Sequence, residues 1–386
     1  MRLLICAGGT GGGVNPALAV LRALENEPGP ANRPGARETS LSALWVGVEG
    51  GMESELVSRA GIPFEAISAA GVHGVGLRRL PGNLVQLGRG YRQAGEILKR
   101  FKPDVMLFTG GYVAVPMAFA GRRVPSVLYV PDIVPGLALK FLSRFASRIA
   151  VTTEQSRSYF SKTKDITVTG YPVRAELTTW DKAEAARRLG LDSTLPTLLV
   201  VGGSSGARSL NRALMTALPE LLDTMQIIHL TGRLDWEEVE NHRNSLSSYG
   251  VTPECVRRYH IYAYLHEEMS TALSAADVVL ARAGASVLGE FPLYGLPAIL
   301  APYPYAWDYQ KVNADFLADR GAALVVTDQD LPDRLVGLVH ELINDPERRA
   351  RMGRAMRSLA KPGAARSIAE LITGLVGQES RKGERP

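Results

Sequence analysis

Two glycine-rich turns, each between an apolar strand and a helix, constrain the fold of this chain more than any other feature. The first turn, residues 8–13, follows the apolar run 3–7, and the second, residues 202–208, follows the apolar run 197–201. Glycine lets the backbone approach an anion closely, and the N-terminus of the following helix adds partial positive charge. The pattern predicts two Rossmann-like α/β halves, each opening with an anion-binding turn.

Short apolar strands alternate with helical segments along the rest of the chain, as in parallel sheets covered by helices on both faces. Further strands are predicted at 43–48, 64–67, 105–108, 126–130, 148–152, 226–230, 260–262, 278–281, 298–301 and 323–326. Helices are predicted at 16–25, at 52–60, at 182–189, from Ser209 onwards and at 364–376, with an exposed, mobile insertion at 26–42. The 386 residues are too many for one ordinary core, which predicts two domains.

The composition excludes several classes of protein. With only Cys6 and Cys255 there is no disulfide framework, which favours a reducing cytoplasm. The apolar runs are all too short to cross a bilayer. The six histidines include no pair at ligand spacing, so neither a metal nor another cofactor is predicted. The net charge of +5 is compatible with phosphorylated substrates or an anionic membrane surface.

Neither glycine turn has the sequence of a common nucleotide-binding motif. No Gly-Lys-Ser or Gly-Lys-Thr follows either turn, which excludes a P-loop. Gly8, Gly11 and Gly13 do not have the Gly-x-Gly-x-x-Gly spacing of a dinucleotide-binding motif. No clear acidic residue stands at the end of the second strand, where that motif has one. Kinase-type and NAD-type interpretations are therefore set aside.

A set of short motifs in a fixed order covers nearly the whole chain. They lie at 8–12 with 16–19, at 110–113 with Pro116, at 169–174, at 202–208 with Asn211, at 282–285 with Glu290, and at Gln310 with Asn313. This set resembles the MurG family, the UDP-GlcNAc-dependent GlcNAc transferases of bacterial lipid II synthesis. The resemblance implies a GT-B fold, which is two facing Rossmann-like domains with parallel sheets.

The same resemblance implies a domain organisation. An acceptor- and membrane-side domain is expected at 1–170 and a UDP-sugar-binding domain at 171–360. A helix at 362–378 is expected to pack back on the first domain, and 379–386 is expected to be a disordered tail.

The resemblance also implies a donor site for UDP-GlcNAc in the second half. Glu290 would bind the ribose, because a carboxylate accepts two hydrogen bonds from a vicinal diol. Gln310 would contact the sugar hydroxyls, and Arg174 would offset the diphosphate charge. The other expected donor-site residues are Ser204, Ser205 and Gly206 around the diphosphate, His266 near the uracil and Ala285 in the donor-binding motif. Asn211 is expected either to bind the donor or to support the glycine turn.

The acceptor side departs from the family pattern. Gly13 replaces the family's usual histidine, Val130 its usual glutamate and Ala114 its usual serine. An inverting transfer needs a group that takes the proton from the attacking acceptor hydroxyl. Asp132 is the nearest surviving carboxylate and the candidate base, with Tyr112 as a positioning residue. Thr10 of the first turn is a further candidate catalytic residue. The candidate substrate-binding residues on this side are Gly11, Gly12, Gly13 and Asn15.

Three alternatives to an Asp132 base are left open. Asp132 follows Pro131, where an aspartate is often a plain turn residue. A second possibility is that an acceptor phosphate or solvent assists the transfer, with no dedicated base. A third is that the protein has lost or changed its acceptor.

A basic stretch with interleaved apolar residues lies between His73 and Lys102, with Glu96 as its one acid. Its cations are Arg78, Arg79, Arg89, Arg92, Lys99, Arg100 and Lys102. Such a pattern suits an anionic bilayer, and we predict membrane contact for 77–87. The apolar residues of 93–101 are expected to cover the sheet instead. Without an aromatic platform or a recognition motif, nucleic-acid binding is not predicted.

The predicted function is transfer of GlcNAc from UDP-GlcNAc to a polyprenyl-diphosphate lipid acceptor, undecaprenyl-diphosphate-MurNAc-pentapeptide. The enzyme would act as a peripheral protein at the cytoplasmic face of the membrane. The alternatives are a transferase of the same fold with another acceptor, a UDP-GlcNAc 2-epimerase, and a non-catalytic nucleotide-sugar binder.

Overall fold

The computed structural model describes residues 1–8, 11–26, 41–48, 50–51, 53–69, 80–174, 177, 179–203, 206–266, 268–305 and 309–383. These residues fall into two compact units. Unit 1 comprises Met1–Arg174 and Pro362–Pro386, and unit 2 comprises Ala175–Lys361. Most of the predicted insertion (27–40), together with Thr10, Ser204 and Ser205, lies outside the described residues.

Unit 1 contains a parallel sheet whose central strands are apolar on both faces. Its described strands are β1 (Arg2–Cys6), β2 (Ser42–Val48), β3 (Phe64–Ile67), β4 (Val105–Phe108), β5 (Ser126–Val130), β6 (Arg148–Val151) and β7 (Ile166–Val168). They lie in the order β3-β2-β1-β4-β5-β6-β7. The residues from Leu3 to Cys6 are fully buried, as expected where helices cover both faces of a parallel sheet.

The helices of unit 1 that precede unit 2 connect these strands. They are α1 (Gly11–Asn26), α2 (Glu53–Arg59), α3 (Leu80–Phe101), α4 (Ala114–Ala120), α5 (Leu137–Leu142) and the 3-10 helix Glu154–Tyr159. Ala94 and Ile97 of α3 are buried in the core of unit 1. The prediction that this end of the basic stretch covers the sheet is therefore confirmed.

Unit 2 repeats the architecture. Its described strands are β8 (Thr197–Val201), β9 (Gln226–Leu230), β10 (Tyr259–Tyr262), β11 (Val278–Ala281), β12 (Ala298–Leu300) and β13 (Ala323–Val325), in the parallel order β10-β9-β8-β11-β12-β13. Its helices are α6 (Lys182–Arg188), α7 (Arg208–Leu221), α8 (Trp236–Ser245), α9 (Pro253–Arg257), α10 (Met269–Ala275), α11 (Glu290–Tyr294), α12 (Tyr309–Ala318), α13 (Leu331–Ile343) and α14 (Pro346–Ser358), with 3-10 helices at Leu246–Tyr249 and Ala285–Leu288.

The last helix, α15 (Ala364–Gly383), belongs to unit 1 and packs on α1. Ile368, Ala369 and Ile372 are fully buried there. The helix continues past both expected ends, 376 from the apolar pattern and 378 from the resemblance, and includes 379–383 of the expected disordered tail. The apolar pattern stops near Val376, but Gln378, Glu379, Arg381 and Lys382 are good helix formers, so the helix continues on propensity.

Two other local predictions differ from the structure. Helix α1 begins at Gly11 and not at Pro16. Glycine has a low helix propensity, but the Thr109 hydroxyl donates to the Gly13 carbonyl at 2.7 Å and holds this first turn in place. The prediction also missed β7, which is three half-buried residues long and too short to show a strand period.

The strand orders place one crevice in each sheet. In unit 1 the chain moves outward from β1 on one side and from β4 on the other, and in unit 2 it does so from β8 and β11. In open α/β sheets, ligands bind at the carboxyl ends of such a strand pair. The first glycine turn follows β1, and the second follows β8.

The packing of α3 on the end of β3 gives a test of the fold. A methyl group at Gly90 would overlap the Ser68 carbonyl oxygen, whereas one at Gly88 of the same helix would meet nothing within 4 Å. We expect Gly90→Ala to destabilise the protein by about 1–3 kcal/mol, as overpacking does. Gly88→Ala should instead raise stability by up to about 1 kcal/mol through helix propensity. Urea denaturation measures both, and equal effects of the two variants would contradict this packing.

Candidate active site

The turns after β1 and β4 pack backbone against backbone. Gly110 and Gly111 have φ angles of 140° and 86°, which favour glycine. A methyl group at Gly111 would lie 2.9 Å from the Gly8 carbonyl oxygen, so only glycine fits without displacement. The turn is further held by Thr109, whose hydroxyl donates to Gly13. The structure therefore brings the two predicted glycine motifs of unit 1 together.

The buried carboxylate of Glu53, which the sequence pattern did not predict, lies against the same turn. Glu53 opens α2, is 1% exposed, and accepts a hydrogen bond from the Val48 amide at 2.9 Å. A methyl group at Gly8 would lie 2.6 Å from Glu53 Oε1, and one at Gly51 would lie 2.5 Å from it. The glycines beside Glu53 are therefore needed to make room for this side chain. The available signal in the sequence was a glutamate two residues after the glycine pair 50–51 that follows β2.

The candidate base and its predicted neighbour follow adjacent strands. Tyr112 lies after β4 with 55% of its surface exposed, and half-buried Asp132 lies after β5. The Thr152 hydroxyl donates to the Pro131 carbonyl at 2.7 Å, which fixes the turn that carries Asp132. Since that hydroxyl hydrogen is used, Thr152 accepts from the buried Tyr129 hydroxyl at 2.8 Å. Burial raises the pKa of Tyr129 well above its usual range, so this tyrosine stays protonated.

Two of the three positions where the family pattern is lost, Gly13 and Val130, offer no side-chain proton acceptor. Gly13 is buried under Thr109 and has no side chain. Val130 is fully buried in β5. The altered loop retains the carboxylate of Asp132 at the end of that strand.

The second glycine turn is equally constrained. Gly203 and Gly206 have φ angles of 91° and 82°, and a methyl group at Gly206 would lie 2.5 Å from the Thr231 carbonyl oxygen. The Gly206 amide donates to the Gly203 carbonyl at 3.0 Å and closes the turn before α7. The fourteen-residue helix α7 directs its N-terminus towards the turn, as an anion site requires.

Residues after β11 and β12 extend this edge of unit 2. Glu290 is the first residue of α11 and 7% exposed, and Ala285 begins the preceding 3-10 helix. The side-chain oxygen of Gln310 accepts a hydrogen bond from the Tyr303 amide at 2.9 Å, and its amide nitrogen is a donor group. Buried Asn313 donates to the Ala283 carbonyl at 3.1 Å and so ties α12 to this loop.

Arg282, within the same motif, has a structural role. It is 8% exposed, bonds the Ala301 carbonyl at 2.9 Å and forms an ion pair with Asp328 at 2.6 Å. Its second nitrogen donates to Ser209 in α7. Arg282 therefore ties the ends of β11 and β12 to α7 and fixes the edge that carries the expected donor residues.

The remaining predicted donor residues have different surroundings. The Asn211 side chain is buried and donates both amide hydrogens internally, to the Thr231 carbonyl at 2.9 Å and to Asp235 at 3.0 Å. It therefore supports the turn. His266 is exposed, with its ring centroid 4.6 Å from that of Tyr264, and Arg174 is half-buried at the end of unit 1. Among the described residues, no group of three His, Cys, Asp or Glu side chains could hold a metal ion.

Comparison with known proteins assigns the chain to a family. The glycosyltransferase family 28 N-terminal domain matches residues 3–151, and the glycosyltransferase family 28 C-terminal domain matches 197–371. A relative from Roseiflexus sp. (strain RS-1) is 42% identical over 97% of this chain and 95% of its own length. Another from Desulforamulus reducens is 36% identical over 98% of this chain and 100% of its own. Both are named UDP-N-acetylglucosamine--N-acetylmuramyl-(pentapeptide) pyrophosphoryl-undecaprenol N-acetylglucosamine transferase.

Solved structures of similar fold support the same family assignment. The crystal structure of Acinetobacter baumannii MurG has a TM-score of 0.72 and 28% identity, covering 97% of this chain and 99% of that one. A UDP-GlcNAc 2-epimerase from Neisseria meningitidis reaches a TM-score of 0.65 at 14% identity, which shows a shared fold alone. The two parallel α/β units define a GT-B glycosyltransferase. The chain belongs to glycosyltransferase family 28, in its MurG branch, so the predicted fold class and resemblance are confirmed.

The buried histidine of β9 makes stability depend on pH. Burial lowers the pKa of His229 from 6.5 to about 3, because a charge inside the sheet would lose its hydration. Between these values the unfolded chain binds a proton that the folded chain does not, so stability is full above pH 6.5 and falls as the pH falls. We expect the free energy of unfolding of His229→Leu to fall less steeply over this window than that of the wild type.

Urea denaturation at several pH values measures this slope. The exposed His266→Gln variant is the matched control and should keep the wild-type slope. A wild-type slope in His229→Leu would contradict the assignment.

Proposed function

We propose that this enzyme transfers GlcNAc from UDP-GlcNAc to undecaprenyl-diphosphate-MurNAc-pentapeptide, with unit 2 binding the donor and unit 1 the acceptor. The observation that carries the proposal is the glycine turn at the strand crevice of each unit, in a chain 42% identical to a relative named for this reaction. Two such turns suit a reaction in which both substrates carry diphosphates.

The donor site is built on the carboxyl edge of the unit 2 sheet. Backbone N–H groups around Gly206 and the N-terminus of α7 hold the diphosphate, with Ser204 and Ser205 in the same turn. Glu290 accepts hydrogen bonds from both ribose hydroxyls, and the Gln310 amide donates to a sugar hydroxyl. The roles expected of Arg174, His266 and Ala285 remain predictions. The turn offers backbone dipoles to the diphosphate in place of a metal.

The acceptor side supplies the base. A hydroxyl of the acceptor attacks the anomeric carbon, the bond from that carbon to UDP breaks, and Asp132 takes the hydroxyl proton. The hydrogen bond from Thr152 to Pro131 keeps the Asp132 turn in one position, which general-base catalysis requires. Tyr112 is exposed on the adjacent loop and orients the acceptor, and Thr10, Gly11, Gly12 and Asn15 complete that side.

Unit 1 also carries an aromatic surface suited to a lipid acceptor. Tyr91, Phe119, Phe145 and Phe141 form a chain of ring contacts with successive centroid distances of 5.5, 6.1 and 5.3 Å. Arg122 lies over the Phe119 ring and Arg144 over the Phe141 ring, at 5.8 and 5.9 Å. Exposed aromatic rings beside cations suit the interface of an anionic bilayer.

The membrane contact that we propose from the aromatic surface lies further along the chain than the contact predicted at 77–87. Residues 70–79, including Arg78 and Arg79, lie outside the described residues, whereas the aromatic surface joins α3, α4 and the segment around α5. None of the described helices is both long and apolar enough to span a membrane. We infer peripheral binding at the cytoplasmic face from the aromatic surface and the basic residues of α3.

UDP release tests the reaction and the base together. The wild-type enzyme should release UDP from UDP-GlcNAc only when the lipid acceptor is present. Asp132→Asn should lower kcat by about 100-fold or more, the usual range for loss of a general base, while its affinity for UDP-GlcNAc stays near that of the wild type.

Asp165→Asn is the matched control for that variant, because Asp165 is also an aspartate of unit 1 but is largely exposed on the surface. It should keep wild-type turnover. Near-normal turnover of Asp132→Asn would rule out this base. UDP binding without acceptor-dependent release by the wild type would overturn the proposed reaction.

Flotation with anionic liposomes tests the aromatic surface. The double variant Phe119→Ser/Phe141→Ser should reduce binding by about tenfold or more, because each buried phenylalanine contributes about 1.5–3 kcal/mol. Leu234→Ser removes a side chain that is 76% exposed in unit 2 and should bind as the wild type does. Equal binding by the double variant and the wild type would exclude this surface.

A further inference from the structure

A cluster of buried polar side chains lies beneath the diphosphate-binding turn of unit 2. Its members are Asn211 (1% exposed), His229 (0%), Thr231 (0%), Asp235 (4%) and Tyr259 (0%). His229 lies in β9, and Tyr259 lies in the neighbouring strand β10. A leucine at position 229 would fill the core without needing any partner, so a buried histidine there requires a reason beyond packing.

The hydrogen bonds of the cluster run in one direction. Asn211 Nδ2 faces two groups that can only accept, the Thr231 carbonyl at 2.9 Å and the Asp235 carboxylate at 3.0 Å. Asn211 Oδ1 must then accept from His229 Nε2–H at 2.9 Å. Burial keeps the His229 imidazole neutral, so only one of its two nitrogens carries a hydrogen. Because Nε2 carries it, Nδ1 of His229 accepts a hydrogen bond from the Tyr259 hydroxyl at 2.7 Å.

The chain of hydrogen bonds ends at the turn. Asn211 holds the Thr231 carbonyl, and this is the oxygen against which Gly206 packs so closely that a methyl group would lie 2.5 Å away. Asp235 also accepts from Arg208 Nε at 3.0 Å, and Arg208 is the first residue of α7. The cluster therefore braces the turn from both of its ends, at Gly206 and at the start of the helix.

We propose that His229 is a positioning residue for the donor diphosphate. By donating to Asn211 it fixes the amide plane, and through it the Thr231 carbonyl that holds the Gly206 backbone in place. The Tyr259 hydroxyl selects the tautomer in which Nε2 carries the hydrogen. This inference rests on the proposed role of the turn in diphosphate binding, and it adds to that role a residue that touches no substrate.

Calorimetric titration of the full chain with UDP, and steady-state kinetics with both substrates, test the inference. His229→Leu should raise the Kd of UDP and the KM of UDP-GlcNAc by about tenfold, the value of one buried hydrogen bond. The KM of the lipid acceptor should not change. His229→Gln places an amide N–H near the position of Nε2 and should restore most of the donor affinity.

Two further variants separate positioning from stability. Leu342→Ala removes packing from the same core of unit 2 and should lower Tm while UDP affinity stays at the wild-type value. Tyr259→Phe keeps the ring, removes the hydroxyl, and should raise the Kd of UDP by about threefold. This variant decides the question if His229→Leu does not fold.

The outcomes are distinguishable. Wild-type UDP affinity in a folded His229→Leu, or in Tyr259→Phe, would overturn the positioning role and leave the proposed function intact. A loss of UDP affinity in Leu342→Ala equal to that in His229→Leu would also overturn it. If the wild-type protein itself does not bind UDP, both the proposed function and this inference fall.

Discussion

Close contact between a glycine turn and the backbone at the end of a neighbouring strand is the constraint on which both units depend. Gly111 packs against the Gly8 carbonyl in unit 1, and Gly206 packs against the Thr231 carbonyl in unit 2. Neither contact leaves room for a side chain. Because parallel strands bring their carboxyl ends to one edge, these contacts place backbone N–H groups and helix N-termini where a diphosphate can meet them.

Polar side chains beneath each edge keep the turns in place. A threonine directly follows β4, β6 and β9, and Thr109 and Thr152 each donate to the carbonyl of an adjacent turn. Glu53 in unit 1 and the cluster around His229 in unit 2 lie beneath the glycine turn of their unit and support it. In both units, buried hydrogen bonds therefore hold the glycine turns and the loops beside them in place.

On the proposed acceptor side, two family residues are lost and one carboxylate is kept. Gly13 and Val130 are both buried and can supply no proton acceptor, whereas Asp132 lies on a turn that the Thr152 hydroxyl holds. On the donor side, Arg282 is the corresponding support, because it joins β11, β12 and α7 through Ala301, Asp328 and Ser209. We expect activity to depend on these supports as well as on the groups that face the substrates.

The sequence by itself determined the class of fold, because strand–glycine–helix patterns at 3–16 and 197–209 depend only on local chain preferences. Its ordered motifs also named the family. It missed the helical start at Gly11, where a hydrogen bond from distant Thr109 outweighs low glycine propensity. It left the role of Asn211 open and did not identify His229 or Glu53, since a polar residue in an apolar run has meaning only through partners from other strands. Tertiary structure decides these roles because burial and hydrogen-bond partners are set by packing between segments far apart in the chain.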